Sequence, residues 1–403
     1  MLQTDKGAWQ PADMNPGMRP LAFCAIRPEG ACQCHASSAD RSRDRKRERK
    51  NITMRFIHIA DVHLGAQPDA GPLYSRQRPR ELWETFEHVI HVCEEEQTDL
   101  LLIAGDLFHR QPLVRELKEV DYLFSELTHT KVVLIAGNHD YIRTDSNYLT
   151  FQWSKNVYPL LSDKPQYVDF PELRTAVYGM SYHSREIGRP LYDSLQAADR
   201  EPFEILLAHG GDDRHIPIDR QKLERSGFDY VALGHIHKPH VMRKDQIVYS
   251  GALEPIDKND TGRHGYVRGE ITEKGARTQW VPCACREYIH FESAVGVEDT
   301  TGSVKKQIEK KINEYGNENI YKIVLVGKRN RDVFLDPERM KGEKNILEII
   351  DRTSPAYDFE RLYEENEDMI LGRYIGRFRG CREGSVEYQA LCEGVEALLG
   401  SRQ

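Results

Sequence analysis

The chain has 403 residues, of which 39% are hydrophobic and 30% charged, and its formal net charge is −8. This length suffices for two or three domains, and the negative balance excludes a general electrostatic attraction to nucleic acid, so any such binding has to be local. No stretch approaches the ~20 apolar residues of a membrane-spanning helix. The eight cysteines follow no disulfide-like spacing, so we expect a cytoplasmic protein.

Residues 1–53 differ from the rest of the chain, since they lack apolar periodicity and contain the charged run DRSRDRKRERK. We predict a disordered N-terminal extension with no specific role. Two alternatives stay open. The basic run could be an arm that binds nucleic acid, or translation could begin at Met54.

From Met54 onward, short apolar runs alternate with amphipathic stretches. Five runs are predicted to be buried strands, at 55–60, 99–105, 131–137, 203–210 and 230–235. Between the first three strands, residues 80–96 and 114–129 carry apolar residues at helical spacing. This alternation predicts an α/β core with largely parallel pairing. Three later runs predict a second sheet packed on the first, at 174–180, 246–252 and 265–272.

The pattern changes near residue 283, where a strand, a polar helix and another strand follow one another. We predict a main domain over residues 54–283 and a small separate β-α-β domain over residues 284–345. Residues 346–403 form a predicted helical C-terminal region. Its apolar-periodic stretch 386–399 could bind a partner or pack on its own domain.

Polar side chains directly follow each of the five predicted strands. In open α/β sheets the carboxyl ends of the strands form the ligand crevice, so we expect these side chains to share one rim. They are Asp61, His63, Asp106, His109, Asn138, His139, Asp140, His209, His235 and His237.

The residue types at these strand ends suggest a metal site. Carboxylate, amide and imidazole ligands together suit divalent ions such as Mn²⁺, Fe²⁺ or Zn²⁺. Asp61 and His63 stand two residues apart and could face one ion, while Asp106 has two oxygens with which to bridge two ions. Ions about 3.5–4 Å apart can activate a water and clamp phosphoryl oxygens. Each cluster alone would also fit a local turn, but five in order favour the metal site.

The ordered motifs DVH, GDLFH, GNHD, HGG and GHIH resemble the signature of the calcineurin-like metallophosphoesterases over residues 54–282. Within that superfamily, IADVHLG, AGDLFHRQP and IAGNHD are most similar to DNA-repair nucleases of the SbcD and YhaO type. The resemblance implies a four-layer α-β-β-α sandwich, with 54–283 as the catalytic domain and 284–345 as a small α+β capping domain. Serine/threonine phosphatases of the superfamily carry GDxxDRG and GNHE instead, which argues against phosphoprotein substrates. Residues 253–266 do not align with the corresponding segment of the best-known members of this superfamily.

The resemblance also implies a role for each polar residue. One metal ion would be held by Asp61, His63, Asp106 and His237. The other would be held by Asp106, Asn138, His209 and His235. His139, paired with Asp140, would be the catalytic histidine beside the leaving oxygen, and His109 would help to place the phosphate.

The function implied is a metal-dependent DNA exonuclease or endonuclease with two divalent ions, for which we expect Mn²⁺. The expected partners are DNA, an SbcC-type coiled-coil ATPase bound by residues 346–403, and a second copy of the chain, in a nucleoid-associated setting. One alternative is a small-molecule phosphoesterase, which the long C-terminal extension disfavours. Another is a non-catalytic scaffold for the ATPase, which the complete ligand set and an intact His139 disfavour.

Five loop arginines lie near the motifs and are tentative contacts to DNA phosphates. They could equally be solvated loop side chains. They are Arg76, Arg78, Arg80, Arg110 and Arg143.

Overall fold

The computed structural model describes residues 53–69, 71–342 and 344–400. The extension predicted for residues 1–53 therefore lies, apart from Thr53, outside the described residues. None of the helices in the described ranges combines the length and the apolar character that a membrane span requires.

The described strands and helices follow one another along the chain as the alternating pattern predicts. The strands are β1 Met54–Ile59, β2 Leu100–Ala104, β3 Lys131–Ile135, β4 Val157–Pro159, β5 Gln166–Phe170, β6 Thr175–Gly179, β7 Phe203–His209, β8 Tyr230–Gly234, β9 His240–Arg243, β10 Ile247–Tyr249, β11 Gly265–Thr272, β12 Gly275–Pro282, β13 Tyr288–Val295, β14 Ile320–Arg329, β15 Ile346–Asp351 and β16 Ser354–Pro355. The α-helices are α1 Arg78–Glu95, α2 Val114–Ser125, α3 Asn147–Thr150, α4 Arg220–Glu224, α5 Thr301–Tyr315, α6 Pro337–Lys341, α7 Phe359–Glu365, α8 Ile370–Arg377 and α9 Val386–Gly400.

The first sheet has the strand order β12-β11-β1-β2-β3-β4, and β1 to β4 are parallel. Its outer face packs on helices α1 and α2, where Phe86 and Phe124 share a core with Leu101. Its inner face packs on the second sheet through residues such as Leu102. Because both faces are covered, β2 is buried at every position, which explains its unbroken apolar sequence.

The second sheet has the order β5-β6-β7-β8-β10-β9. Ile205 and Leu207 of β7 face the first sheet, whereas Leu206 faces an outer core that includes Leu223 of α4. Helices, two stacked sheets and an outer helical layer give the four-layer α-β-β-α sandwich that the resemblance implies.

Strand β11 lies in a different sheet from the one predicted. Residues 265–272 pair antiparallel with β1 in the first sheet, so their assignment to the second sheet is wrong. The strand alternates between the two cores, with Val267 facing the second sheet and Tyr266 facing the helical layer. A strand whose side chains alternate between two faces suits either sheet, so its sequence could not decide between them.

The small domain contains the predicted β-α-β unit. Strands β13 and β14 pair in parallel, and α5, which connects them along the chain, packs on this sheet through residues such as Ile308. However, β15 pairs with β14 on the other side, and β16 extends the pairing to Pro355. The predicted boundary at residue 345 therefore cuts this sheet and is wrong. A third parallel strand needs a crossover connection, and residues 330–345 provide one with only the short helix α6.

The C-terminal region contains helices α7 to α9. Leu371 and Ile375 of α8 pack against Leu391 and Val395 of α9, so the apolar face of the last helix is covered within this region. Partner binding by residues 346–403 stays a prediction.

A buried group of charges joins the main domain to the small domain. Arg78 Nη1 lies 2.6 Å from Glu81 Oε2 and 3.2 Å from Glu254 Oε2. Arg286, which precedes β13, places Nη2 2.6 Å from Glu81 Oε1. We call Arg78, Glu81, Glu254 and Arg286 the junction cluster.

Candidate metal centre

Seven predicted ligands converge at the carboxyl ends of five strands that belong to two different sheets. Strands β1 to β3 supply four of them, and β7 and β8 supply three. His209 Nε2 lies 3.4 Å from Asp106 Oδ2, which brings the two sheets together at this edge. The rim is therefore shared between two stacked sheets rather than formed by one. We call the following residues the metal rim: Asp61, His63, Asp106, Asn138, His209, His235 and His237.

The chain leaves β1 through a backbone conformation that few residues adopt. Asp61 and His63 both have a φ of 52°, in the left-handed region, and both are fully buried. Their N–H groups donate to the carbonyls of Gly105 at 3.1 Å and Asp106 at 3.0 Å, which locks the bend. A non-glycine residue held there costs of order 1–3 kcal/mol, and such strain concentrates at functional sites.

Asp106 lies between the two halves of the metal rim. Its Oδ2 is 3.4 Å from His209 Nε2 and 3.9 Å from His63 Nε2, while its Oδ1 accepts a 2.8 Å hydrogen bond from the His139 N–H. A Cβ on Gly137 would collide with Asp106 Oδ1, so this approach requires a glycine. The position suits the bridging role that the resemblance implies.

The two histidines of the GHIH motif face opposite halves of the rim. His235 Nδ1 lies 3.1 Å from Asn138 Oδ1, and His237 Nε2 lies 3.1 Å from His63 Nε2. A Cβ on Gly234 would meet the Ala104 carbonyl, so only glycine lets the strand end pass this close to β2.

Two groups of donor atoms result. Asp61, His63 and His237 offer ligand atoms within 4.8 Å of one another, and so do Asp61, Asp106 and His209. On the other side, Asn138 Oδ1 is 2.9 Å from His209 Nε2 and 3.1 Å from His235 Nδ1.

Burial and mutual proximity shift the pKa of most rim groups. Burial raises the pKa of Asp61 to about 6. Burial opposes the charged forms of His209 and His237, yet nearby carboxylates outweigh it and raise the pKa of each to about 9. Burial would also raise the pKa of Asp106, but the imidazoles of His209 and His63 hold it below its ordinary value. At neutral pH, protons on the His209 and His237 rings therefore balance the charge of the buried carboxylates.

The donor set fits divalent metal ions. Among the described residues, no arginine or lysine forms an ion pair with Asp61 or Asp106, so two buried carboxylates face only imidazole and amide groups. The Nε2 atoms of His63 and His237 point at each other, an arrangement that a shared cation stabilises once both rings are neutral. Oxygen and nitrogen ligands without thiolate match Mn²⁺, Fe²⁺ or Zn²⁺.

Residues 54–239 match the family model described as Calcineurin-like phosphoesterase. Residues 54–239 carry a calcineurin-like metallophosphoesterase domain. All seven rim residues lie within it. Members of this family are hydrolases of phosphoester bonds that use divalent metal ions. The family and the fold class predicted from the sequence are thus confirmed.

Three relatives are similar to this chain. The uncharacterized metallophosphoesterase YhaO of Bacillus subtilis is 30% identical over 238 residues, which cover 54% of this chain and 57% of that protein. The DNA double-strand break repair protein Mre11 of Methanocaldococcus jannaschii is 29% identical over 219 residues, covering 51% and 58%. Mre11 of Aeropyrum pernix is 28% identical over 235 residues, covering 52% and 56%. The chain thus matches just over half the length of each of these relatives.

In the phosphoesterase domain, His139 and His109 stack beside His63. The His109 and His139 ring centroids are 4.9 Å apart, and those of His63 and His139 are 4.8 Å apart. His139 Nδ1 lies 3.1 Å from the His109 carbonyl oxygen, which leaves Nε2 as the nitrogen available to a substrate. His109 Nδ1 lies 3.3 Å from His63 Nδ1. Their catalytic roles stay predictions.

Asp140 does not pair with the His139 ring, so that part of the prediction is wrong. Its carboxylate accepts hydrogen bonds from Gly137 N at 2.8 Å, Phe108 N at 3.2 Å and the Tyr148 hydroxyl at 2.9 Å. Burial raises the pKa of Asp140 to about 7. Because an aspartate side chain is short, it bonds the backbone of its own turn and ties the GDLFH and GNHD segments together.

The five arginines predicted to contact DNA lie in different environments. Arg78 is completely buried in the junction cluster, so it cannot reach a DNA phosphate and its assignment is wrong. Arg80, Arg110 and Arg143 form ion pairs with Glu84, Glu116 and Asp145, respectively.

Arg76 is exposed and has no ion pair within the described part of the chain. For Arg76, Arg80, Arg110 and Arg143, the contact to DNA stays a prediction.

Sequence reasoning missed two acidic residues that touch the metal rim. Asp212 Oδ2 lies 2.7 Å from His235 Nε2, and Asp260 Oδ2 lies 2.9 Å from His237 Nδ1. Asp212 directly follows the HGG motif, so its position was a usable signal. Asp260 belongs to the segment 253–266 that did not align with the resemblance, and nothing in its local sequence marks it.

Proposed function

We propose that this chain is a metal-dependent DNA nuclease that hydrolyses phosphodiester bonds with two divalent ions, Mn²⁺ being the ion we expect. The observation that carries the proposal is the convergence of all seven rim residues. Asp106 Oδ2 lies 3.4 Å from His209 Nε2 and 3.9 Å from His63 Nε2, and two further histidines lie beside them. Similarity to two proteins described as acting in DNA double-strand break repair supports DNA as the substrate.

In this proposal each side chain has a defined task. One ion would be held by Asp61, His63, Asp106 and His237. The other would be held by Asp106, Asn138, His209 and His235. Two divalent ions bound there would activate a water as nucleophile and neutralise charge on the phosphoryl oxygens.

The two stacked histidines handle the substrate. His139, with its Nδ1 turned to the His109 carbonyl, presents Nε2 to the leaving oxygen and protonates it. His109 lies against His63 and donates to a non-bridging phosphate oxygen. Asp140 holds the two loops that carry these rings, as its bonds to Gly137 and Phe108 indicate.

The experiment compares a generic chromogenic phosphodiester with linear, nicked and single-stranded DNA, each with Mn²⁺ and with a chelator. We expect Mn²⁺-dependent cleavage of the chromogenic ester and of at least one DNA form, and separate assays on defined ends give the polarity. Cleavage of the chromogenic ester with no cleavage of any DNA form would favour the small-molecule alternative instead.

We also propose that an SbcC-type coiled-coil ATPase binds the helices α7 to α9. Ile370 and Val386, both on this region, are 74% and 81% exposed and would offer apolar contacts to such a partner. Ile370→Ser with Val386→Ser should weaken co-purification with the ATPase, and Val114→Ser, an exposed apolar site on the catalytic domain, is the control. Sedimentation of the chain alone tests the expected homodimer.

A further inference from the structure

Two carboxylates outside the strand-end motifs contact the two histidines of the GHIH motif, each at the ring nitrogen that faces away from the metal rim. Asp212 lies on the loop after β7 and contacts His235 Nε2 at 2.7 Å. Asp260 lies on the loop between β10 and β11 and contacts His237 Nδ1 at 2.9 Å. Loops from two different places thus arrive at two adjacent rim ligands.

In both rings, the nitrogen opposite the carboxylate faces the metal rim. His235 turns Nδ1 toward Asn138 Oδ1 at 3.1 Å, and His237 turns Nε2 toward His63 Nε2 at 3.1 Å. A neutral imidazole has one N–H and one lone pair. A carboxylate can only accept, so it draws the N–H to its own side and leaves the lone pair pointing into the rim. Only that tautomer can bind a metal ion there.

His209 shows the same arrangement with a weaker acceptor. Its Nδ1 lies 2.9 Å from the Ala104 carbonyl oxygen, and its side chain is fully buried. The side chains of His235 and His237 are 14% and 23% exposed, so water reaches them and packing alone holds them less firmly. These two rings have the ionised acceptor, whose hydrogen bonds are roughly twice as strong as neutral ones.

Both carboxylates are themselves fixed in place. Asp212 Oδ1 also accepts from Arg214 N at 2.8 Å and His215 N at 2.9 Å. Asp260 Oδ2 accepts from Ile256 N and Asp257 N, each at 3.1 Å. The next residue, Thr261, forms a parallel bridge with Tyr288 in the first strand of the small domain.

We propose that Asp212 and Asp260 are positioning residues that select the tautomer and orientation of His235 and His237, and thereby set metal affinity separately in the two halves of the rim. The proposal rests on the two-metal site of the proposed function. A competing assignment exists for one of them, because Asp212, His215 and His235 also have the spacing of a cation site of their own. The direct 2.7 Å bond between Asp212 and His235 favours positioning.

The test measures Mn²⁺ binding to the full chain by calorimetry, and by electron paramagnetic resonance, which separates coupled from isolated ions. Asp212→Asn and Asp260→Asn are compared with Asp213→Asn and Asp257→Asn, neighbouring acidic sites on the same two loops. We expect each positioning variant to lose about 10–100-fold in affinity at one of two ions, with the coupled signal reduced. The controls should match wild type, and the melting temperature of the metal-free protein should not move.

A second measurement does not depend on the variants. In ¹⁵N-histidine spectra of the Zn²⁺-loaded wild type, the ring proton should sit on Nδ1 of His237 and on Nε2 of His235. The opposite tautomers, or wild-type affinity in both Asn variants, would overturn the positioning roles and leave the proposed function standing. Loss in Asp212→Asn of a third ion alone would make Asp212 a ligand. Fewer than two ions in wild type would instead defeat the proposed function.

Discussion

The metal rim and the junction cluster both bury charged side chains, but they satisfy those charges in opposite ways. In the junction cluster, Glu81 and Glu254 each face an arginine within 3.2 Å. In the metal rim, Asp61 and Asp106 face imidazoles and an amide, with no arginine or lysine ion pair in the described ranges.

Backbone conformation separates the two regions as well. Asp61, His63, Asp106 and His235 have positive φ values between 51° and 95°, whereas all four members of the junction cluster have ordinary backbones. A closed set of ion pairs needs no strain to form. A set of ligands has to point inward at a shared position, and the strained backbone enforces this. Buried carboxylates therefore indicate a metal site when their partners are imidazoles, which can give up a proton to a metal ion, rather than arginines.

We expect the largest loss of activity from a substitution in the metal rim, Asp106→Ala. Asp106→Ala removes the carboxylate between the two halves of the metal rim, so hydrolysis should fall by more than the ~10²–10⁴ that a lost general acid costs. Calorimetry with Mn²⁺ should show fewer than two ions, while the circular dichroism spectrum stays that of wild type. Two ions bound to Asp106→Ala would contradict the bridging assignment.

His139→Ala and His235→Ala distinguish the predicted catalytic acid from a predicted metal ligand. His139 neighbours a ligand but lies outside the ligand set, so both ions should remain while kcat falls about 10²–10⁴-fold. His235→Ala is the matched variant and should lose a metal ion. If His139→Ala released a metal ion, or kept full activity, the separation between ligand and acid would fail.

Arg78→Ala breaks the closed cluster and should act on stability. Removing the arginine leaves Glu254 buried and uncompensated, which costs about 3–5 kcal/mol in the free energy of unfolding. Urea denaturation measures it. Arg78→Met combined with Glu254→Gln removes both charges and should recover much of that loss. An unchanged midpoint in Arg78→Ala would show that the cluster contributes little.

A pH dependence of metal binding should be confined to the rim. The pKa values of His209 and His237 are raised to about 9, so both rings are protonated at neutral pH without metal and must lose a proton to bind it. Mn²⁺ affinity should therefore rise with pH, by up to about tenfold per unit for each proton displaced. The rise should level off above about pH 9, and anaerobic titrations between pH 6 and 8.5 measure its slope. A flat profile would show that the rings are already neutral.

The burial of the arginines could not be predicted from the sequence. Arg76 and Arg78 are two residues apart on the same predicted loop, yet one is exposed and the other is completely buried. The difference arises because Arg78 begins α1 and faces Glu254, a residue far along the chain. A contact between such distant residues has no local signature.

The strands, the helices between them and the placement of polar residues at the strand ends could all be predicted from the local sequence. Hydrophobic periodicity and glycine placement are local properties, and the ordered motifs carry the ligand types with them. Three features are evident only in the tertiary structure: β7 and β8 lie in a second sheet, β11 pairs with β1 in the first, and Asp260 contacts His237. Each of these depends on which distant segments meet. These long-range contacts are determined by the packing free energy of the whole chain, so no short stretch of sequence predicts them.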